Sequence, residues 1–240
     1  KVHESNGNHS KNNDQSINGY LTSLNLILHE NEYDLTSVDS IVKKCIAIVF
    51  DNWQAVKHVI CHDSDETDLH LMYPDGNIDI HLILSTAFRT TKESSALLHT
   101  LIQVYPLSGE QLIEIGEFLI DQLFSIRHSG AFQSVSPTFL ACCLRCRKEN
   151  PSLLKKWLDD VLKSLEIKTQ NVTRRSGGIP SLLTVILATE TNNERPLLKH
   201  AFEVLTRIAS TKIDEHQDKV DLPQVNAFNC IKAIFTESKL

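Results

Sequence analysis

The chain has 240 residues, 41% hydrophobic and 22% charged, with a net charge of −6, the composition of an ordinary globular protein able to bury a sizeable core. Aromatic residues make up only 6%, with 8 Gly and 7 Pro, and the apolar set is dominated by Leu and Ile, which favours helices over a β-sandwich or barrel. No segment reaches the roughly 18 consecutive apolar residues of a membrane span and no apolar leader opens the chain, so the expectation is a cytoplasmic protein without membrane contact.

Residues 1–17 are polar, Asn-rich and aperiodic, and read as a flexible lead-in. Two amphipathic helices are expected over about 18–31 and 36–61, the second with Val38, Ile41, Val42, Cys45, Ile48, Val49, Trp53, Val56 and Ile60 at helical spacing. An acidic run from His62 to Asp68 closes this first helical segment, 18–78, with a loop. From Ile80 to about Tyr105 the pattern predicts a long helix that Pro106 terminates, with room for an interruption near Thr90 and Thr91. Ser108, Gly109, Glu110 and Gln111 form a capping box, followed by the apolar stripe Leu112, Ile115, Leu119, Leu123 and Ile126. Ser129 and Gly130 read as the stop of that helix. Another helix then carries Phe139, Leu140, Cys143 and Leu144 to Asn150, and Pro151 opens the next, which runs to Leu165. Pro180, Pro196 and Pro223 are placed to open the remaining three. The sum is about nine helices and no strand, an all-α irregular HEAT/armadillo-like solenoid segment. The start at Lys1 and the single methionine, Met72, read as a piece cut from a longer protein.

Six cysteines are too few for a disulfide scaffold. Cys143 and Cys146 have the spacing of a zinc or redox pair, but no second pair follows, and burial inside a helix is the favoured reading. The dinucleotide, phosphate-loop, zinc-protease and nucleophile-elbow motifs are all missing, so no catalytic activity is expected of this chain. Charge is unevenly spread: residues 127–175 hold ten Lys and Arg against four acids, within an otherwise acidic chain. Such a segment suits a polyanion such as RNA, or is a solvated helix face. Arg174, Arg175, Ser176, Gly177, Gly178, Ile179 and Pro180 place two cations before two glycines and a helix start. That run could hold a phosphate or a partner's carboxylate. Alternatively, the glycines let helices approach and the arginines bond helix C-terminal carbonyls.

The runs Ile126-Arg-His-Ser-Gly-Ala-Phe132, Thr173-Arg-Arg-Ser-Gly-Gly-Ile-Pro180 and Leu222-Pro-Gln-Val-Asn-Ala-Phe-Asn-Cys230 occur in this order. Together they resemble the central domain of the THADA (thyroid adenoma-associated protein) family. Leu84 to Glu93 is similar to the helix that opens that domain, so the resemblance covers 79–240. It implies a non-catalytic accessory subunit of a tRNA ribose methyltransferase acting at nucleotide 32 of the anticodon loop. The implied partners are a separate Rossmann-type methyltransferase, which would carry S-adenosylmethionine, and the tRNA anticodon stem-loop. No cofactor or metal is implied on this chain. A protein-interaction scaffold without RNA contact is the alternative. The family's Arg-Arg-Ser-Ala-Gly-Leu-Pro motif falls on Arg174 to Pro180, with Gly177 for Ala and Ile179 for Leu. With Arg127, His128, Arg89 and Lys92, the motif's Arg174, Arg175, Ser176, Gly177, Gly178 and Pro180 make up the implied RNA- or partner-binding set. Ser129 stands where the family often has Arg or Cys, and Asn226 where it often has His, so no role is carried over to those two.

Overall fold

The Leu- and Ile-rich segments form nine α-helices and no strand among the residues that the computed structural model describes, 17–30, 35–61, 80–166, 178–191, 193–212 and 222–237. The helices are α1 (Ile17–Glu30), α2 (Leu35–Ile60), α3 (Ile80–Val104), α4 (Gly109–Ser125), α5 (Ser129–Glu149), α6 (Pro151–Glu166), α7 (Gly178–Ala188), α8 (Pro196–Ala209) and α9 (Pro223–Thr236). Residues 1–16 of the polar lead-in, the acidic loop and Arg174 to Gly177 lie outside the described residues, and Ile17, assigned to the lead-in from the sequence, opens α1. Packing follows chain order: α1 and α2 lie against α3, α3 against α5, and α5 against α4, α6 and α7. Helix α6 then meets α8, and α9 rests on α7 and α8. This is a stack of helices sharing one continuous apolar core, the irregular HEAT/armadillo-like arrangement.

Helix α4 shows how local sequence sets the frame. Ser108 Oγ accepts from Gln111 N at 3.2 Å while Gln111 Oε1 accepts from Ser108 N at 2.7 Å, closing the capping box. Its stripe Leu112, Ile115, Leu119 and Leu123 is at most 2% exposed, each side chain worth about 1.5–3 kcal/mol of burial. Gly116, an unfavourable residue in a helix interior, sits under the Trp157 ring of α6, where an added Cβ would overlap the indole.

Helix α3 runs unbroken through Thr90 and Thr91, where the sequence left room for an interruption. Its polar centre is buried because it is satisfied. Thr91 Oγ1 donates to Ala87 O at 2.9 Å, Thr90 Oγ1 to Asn18 Oδ1 at 3.0 Å, and Ser95 Oγ to Ser134 O at 3.1 Å. Asn52 Nδ2 of α2 donates to Ser94 Oγ at 3.1 Å. A seam of small hydroxyls thus fixes α1, α2 and α5 on one helix.

Ser129 and Gly130 do not end α4; they open α5. Helix α4 stops at Ser125 with Ile126 as its C-cap, and His128 is the N-cap of α5. Pro180 likewise is the third residue of α7 rather than its first, still within the turn where a missing N–H costs no bond. Pro151, Pro196 and Pro223 open their helices as expected. Cys142, Cys143 and Cys146 face the core of α5, all at most 1% exposed. Burial pushes the Cys143 thiol up; Cys142 is pushed up by donating to Cys146 and by burial.

Candidate functional site

Helix ends leave backbone groups unpaired, and the α4–α5 turn is where several ends meet. The Arg127 backbone N–H donates to Ile60 O, the last residue of α2, at 3.1 Å, and its Nη1 donates to Phe124 O of α4 at 3.1 Å. One residue so ties together the C-termini of two helices. Next to it, His128 Nδ1 accepts from Ala131 N at 3.1 Å and caps α5. The neighbouring thiol of Cys61, at the end of α2, is pushed up by burial to about 11.

Two further segments reach this turn. From α3, Phe88 places its ring against that of His128, with centroids 5.1 Å apart and planes inclined by 33°. Gly130 lies beneath the pair: a Cβ there would stand 3.1 Å from Phe88 Cε2 and 3.2 Å from His128 Cε1. From the other side, Gly178 opens α7 directly on the α4 backbone, and a Cβ on it would collide with the Leu123 carbonyl oxygen. Glycine at 178 is therefore required by close approach of two backbones, the structural role weighed from the sequence.

Of the sequence-derived site, Arg89, Lys92, Arg127, His128, Gly178 and Pro180 are described, and Arg174, Arg175, Ser176 and Gly177 are not. Gly178, Arg127 and His128 gather at the α4–α5 turn through Leu123 and Phe124. Arg89 and Lys92 are exposed on α3 in the turn that follows Phe88, with Lys92 Nζ 4.0 Å from Glu93. Pro180 is half-buried in the first turn of α7. The aromatic partner Phe88 is missing from the sequence-derived set. Its signal was its place beside Arg89 in a motif already singled out, but nothing local shows that it faces a residue forty positions on.

The basic segment is only partly turned outward. Arg145 Nη1 donates to Ile102 O at 2.7 Å and Tyr105 O at 2.6 Å, and its Nε to Glu149 Oε1 at 2.9 Å. Arg147 Nη1 donates to Thr189 O at 2.8 Å. These two guanidinium groups cap the C-terminal ends of α3 and α7, as cations near the negative end of a helix do. Arg145 and Arg147 therefore serve the fold itself, so the basic segment is neither wholly a surface for a polyanion nor wholly a solvated helix face. Lys156 pairs with Glu117 at 3.0 Å, and Lys155 with Asp159 at 2.7 Å. Burial pushes the Asp159 carboxyl up, but bonds from Lys155 and from His200, 2.7 Å away, outweigh it and hold it below the usual range. Lys148 and Lys163 are exposed.

Among the described residues, no group of three or more His, Cys, Asp and Glu is placed to hold a metal ion, and no helix is long and apolar enough to cross a membrane. No solved structure matches the chain. It is 33% identical, over 93% of its length, to the tRNA (32-2'-O)-methyltransferase regulator trm732 of Schizosaccharomyces pombe. It is 31% and 32% identical, over 68% of its length, to proteins of mouse and human named tRNA (32-2'-O)-methyltransferase regulator THADA. The chain spans 16% of the length of the yeast relative and 9% of each mammalian one. The family model described as THADA/TRM732, DUF2428, matches residues 40–240, from within α2 to the last residue. The chain belongs to the THADA/TRM732 family.

Proposed function

We propose that this chain is part of a non-catalytic accessory protein that supports 2'-O-ribose methylation of nucleotide 32 in the tRNA anticodon loop. It binds a separate Rossmann-type methyltransferase and the anticodon stem-loop in the cytoplasm. S-adenosylmethionine sits on that methyltransferase, and this chain carries no cofactor. The observation that carries the reading is the similarity, across 93% of the chain, to a protein named as a regulator of this methyltransferase.

Physical support comes from the α4–α5 turn. His128 is exposed there, Arg89 and Lys92 are exposed on α3 in the turn that follows Phe88, and Gly178 brings the start of α7 onto the end of α4. Arg174 and Arg175 stand four and three positions ahead of Gly178 in sequence. Their charge is suited to phosphate, which binds guanidinium in bidentate fashion. The test is ribose methylation at nucleotide 32 in cells whose full-length protein carries Arg174→Ala and Arg175→Ala together. Loss of the methyl group is expected, with protein abundance and methyltransferase association unchanged. Wild-type methylation in that double variant would remove the arginines from the function.

The scaffold reading, without RNA contact, is favoured by one observation. The described arginines of the basic segment, Arg127, Arg145 and Arg147, all donate to main-chain carbonyls. If Arg174 and Arg175 do the same, their removal lowers the melting temperature of the protein along with any activity. Lost methylation at an unchanged melting temperature speaks for binding.

A further inference from the structure

We infer that Phe88 and His128 form a platform on which one unpaired RNA base stacks, the imidazole offering its open side and Phe88 backing it. The inference rests on the RNA-binding reading above and names which part of the RNA this turn would take.

Four observations converge on it. The His128 ring is exposed although it serves as a helix cap. A cap of this kind is ordinarily made by the short side chains of Ser, Thr, Asp or Asn. A ring in that position sets a flat aromatic surface at the turn where a smaller residue would suffice. Second, the ring cannot swing freely. Its Nδ1 accepts from Ala131 N at 3.1 Å and Phe88 lies 5.1 Å away centre to centre. With Nδ1 occupied as an acceptor, the neutral ring carries its proton on Nε2, which is left as a donor. A pre-set aromatic plane loses little entropy when a base stacks on it.

Third, Gly130 leaves room for the two rings to meet over it, since its Cβ would come within 3.2 Å of both. Fourth, Lys92 is exposed and lies four positions after Phe88, one turn along the same face of the helix, and Arg89, next to Phe88 in sequence, is exposed as well. Cations beside an aromatic plane are the combination that binds single strands, with charge tracking the backbone and the plane taking the base. The base must be unpaired, because in a duplex both of its faces are covered by its neighbours.

The cap and the ring can be separated by substitution. His128→Asn keeps a capping side chain and removes the plane; His128→Tyr keeps a plane and gives up the cap. The assay is the affinity of an anticodon stem-loop RNA for the full-length protein in complex with a tRNA methyltransferase, read beside the melting temperature. His128→Asn is expected to weaken binding by about fivefold or more, the loss of one base stacked on one ring, with an unchanged melting temperature. His128→Tyr is expected to bind as wild type while melting a few degrees lower. Removing the loop bases one at a time completes the cycle: one abasic position should weaken wild type by the same factor and cost His128→Asn nothing further.

Wild-type affinity in His128→Asn overturns the platform, as does a loss in His128→Tyr equal to that in His128→Asn. If the wild-type complex itself does not bind the stem-loop, the RNA-binding reading falls and the platform with it. That result is visible before any variant is made.

Discussion

The two ends of α5 use their arginines alike, on helix carbonyls, and differ in the polar groups that remain. At its C-terminal end Arg145 and Arg147 turn inward onto carbonyls of α3 and α7. At its N-terminal end Arg127 meets the carbonyl need of α4, and the remaining polar groups, His128 with Arg89 and Lys92 of α3, face outward. Helix C-termini present unpaired carbonyls that draw in guanidinium groups, whereas a helix N-terminus presents N–H groups that His128 Nδ1 caps as an acceptor. The backbone direction at each end therefore decides which cations the fold uses itself and which it leaves for a ligand. A count of charges along the sequence is blind to that direction.

The largest effect that would break this contrast is expected at Arg145. Its guanidinium serves Ile102 O, Tyr105 O and Glu149, and only 20% of the side chain is exposed. Arg145→Ala leaves two carbonyls and one carboxylate without their donor. Each charged hydrogen bond is worth about 1.5–3 kcal/mol, so a loss of about 3 kcal/mol is expected in chemical denaturation. Stem-loop RNA affinity should stay at its wild-type value under conditions where the variant is folded. A fall in RNA affinity that exceeds the loss of folded protein would place Arg145 on the binding surface instead.

Next in size is Gly178→Ala. The obstacle at that position is the Leu123 carbonyl oxygen, which belongs to a helix backbone and has little room to yield. Alanine ordinarily favours a helix over glycine by about 1 kcal/mol, but here overpacking is expected to win and cost about 1–3 kcal/mol. Thermal unfolding checks it. An unchanged or raised melting temperature would show that α7 can draw back from α4 without loss, and that the close approach is not what holds glycine there.

What the sequence made legible was whatever local chemistry decides. The capping box at Ser108 and Gln111, the α4 stripe, and the helix starts at Pro151, Pro196 and Pro223 follow from neighbours within a turn. Ser129 and Gly130 were misread because serine and glycine near a helix boundary suit either side of it. The side is fixed by His128 Nδ1 accepting from Ala131 N, a contact in which histidine substitutes for the commoner caps. Thr90 and Thr91 suggested a break because β-branched polar residues disfavour a helix interior; Asn18, more than seventy residues away, supplies the partner that removes the cost for Thr90. Two of the family motifs fall at the α4–α5 turn and at the start of α7 without showing what joins them there. Phe88 and His128 are forty residues apart, as are Arg145 and the carbonyl of Tyr105, and no local pattern encodes such pairs. The Glu190 carboxylate that accepts from Leu197 N and Leu198 N and caps α8 went unread for the same reason.

The smallest effect, and the sharpest test of the comparison between the two glycines at this turn, is expected from Gly130→Ala. Its Cβ would meet ring edges at 3.1 and 3.2 Å, and both rings belong to side chains that reach the surface, Phe88 half-buried and His128 exposed. Side-chain rings can shift by the few tenths of an ångström required, where the Leu123 backbone facing Gly178 has little such freedom. The helix gains about 1 kcal/mol from losing a glycine in its first turns, and displacing the rings returns a similar amount. The net change in stability should lie within about 1 kcal/mol of zero. The displacement itself should still be detectable as a change in the His128 ring resonances, because the cap and the Phe88 contact both constrain that ring. A loss of several kcal/mol would mean that the rings are held as firmly as the α4 backbone, and the α4–α5 turn would then be as closed at Gly130 as it is at Gly178.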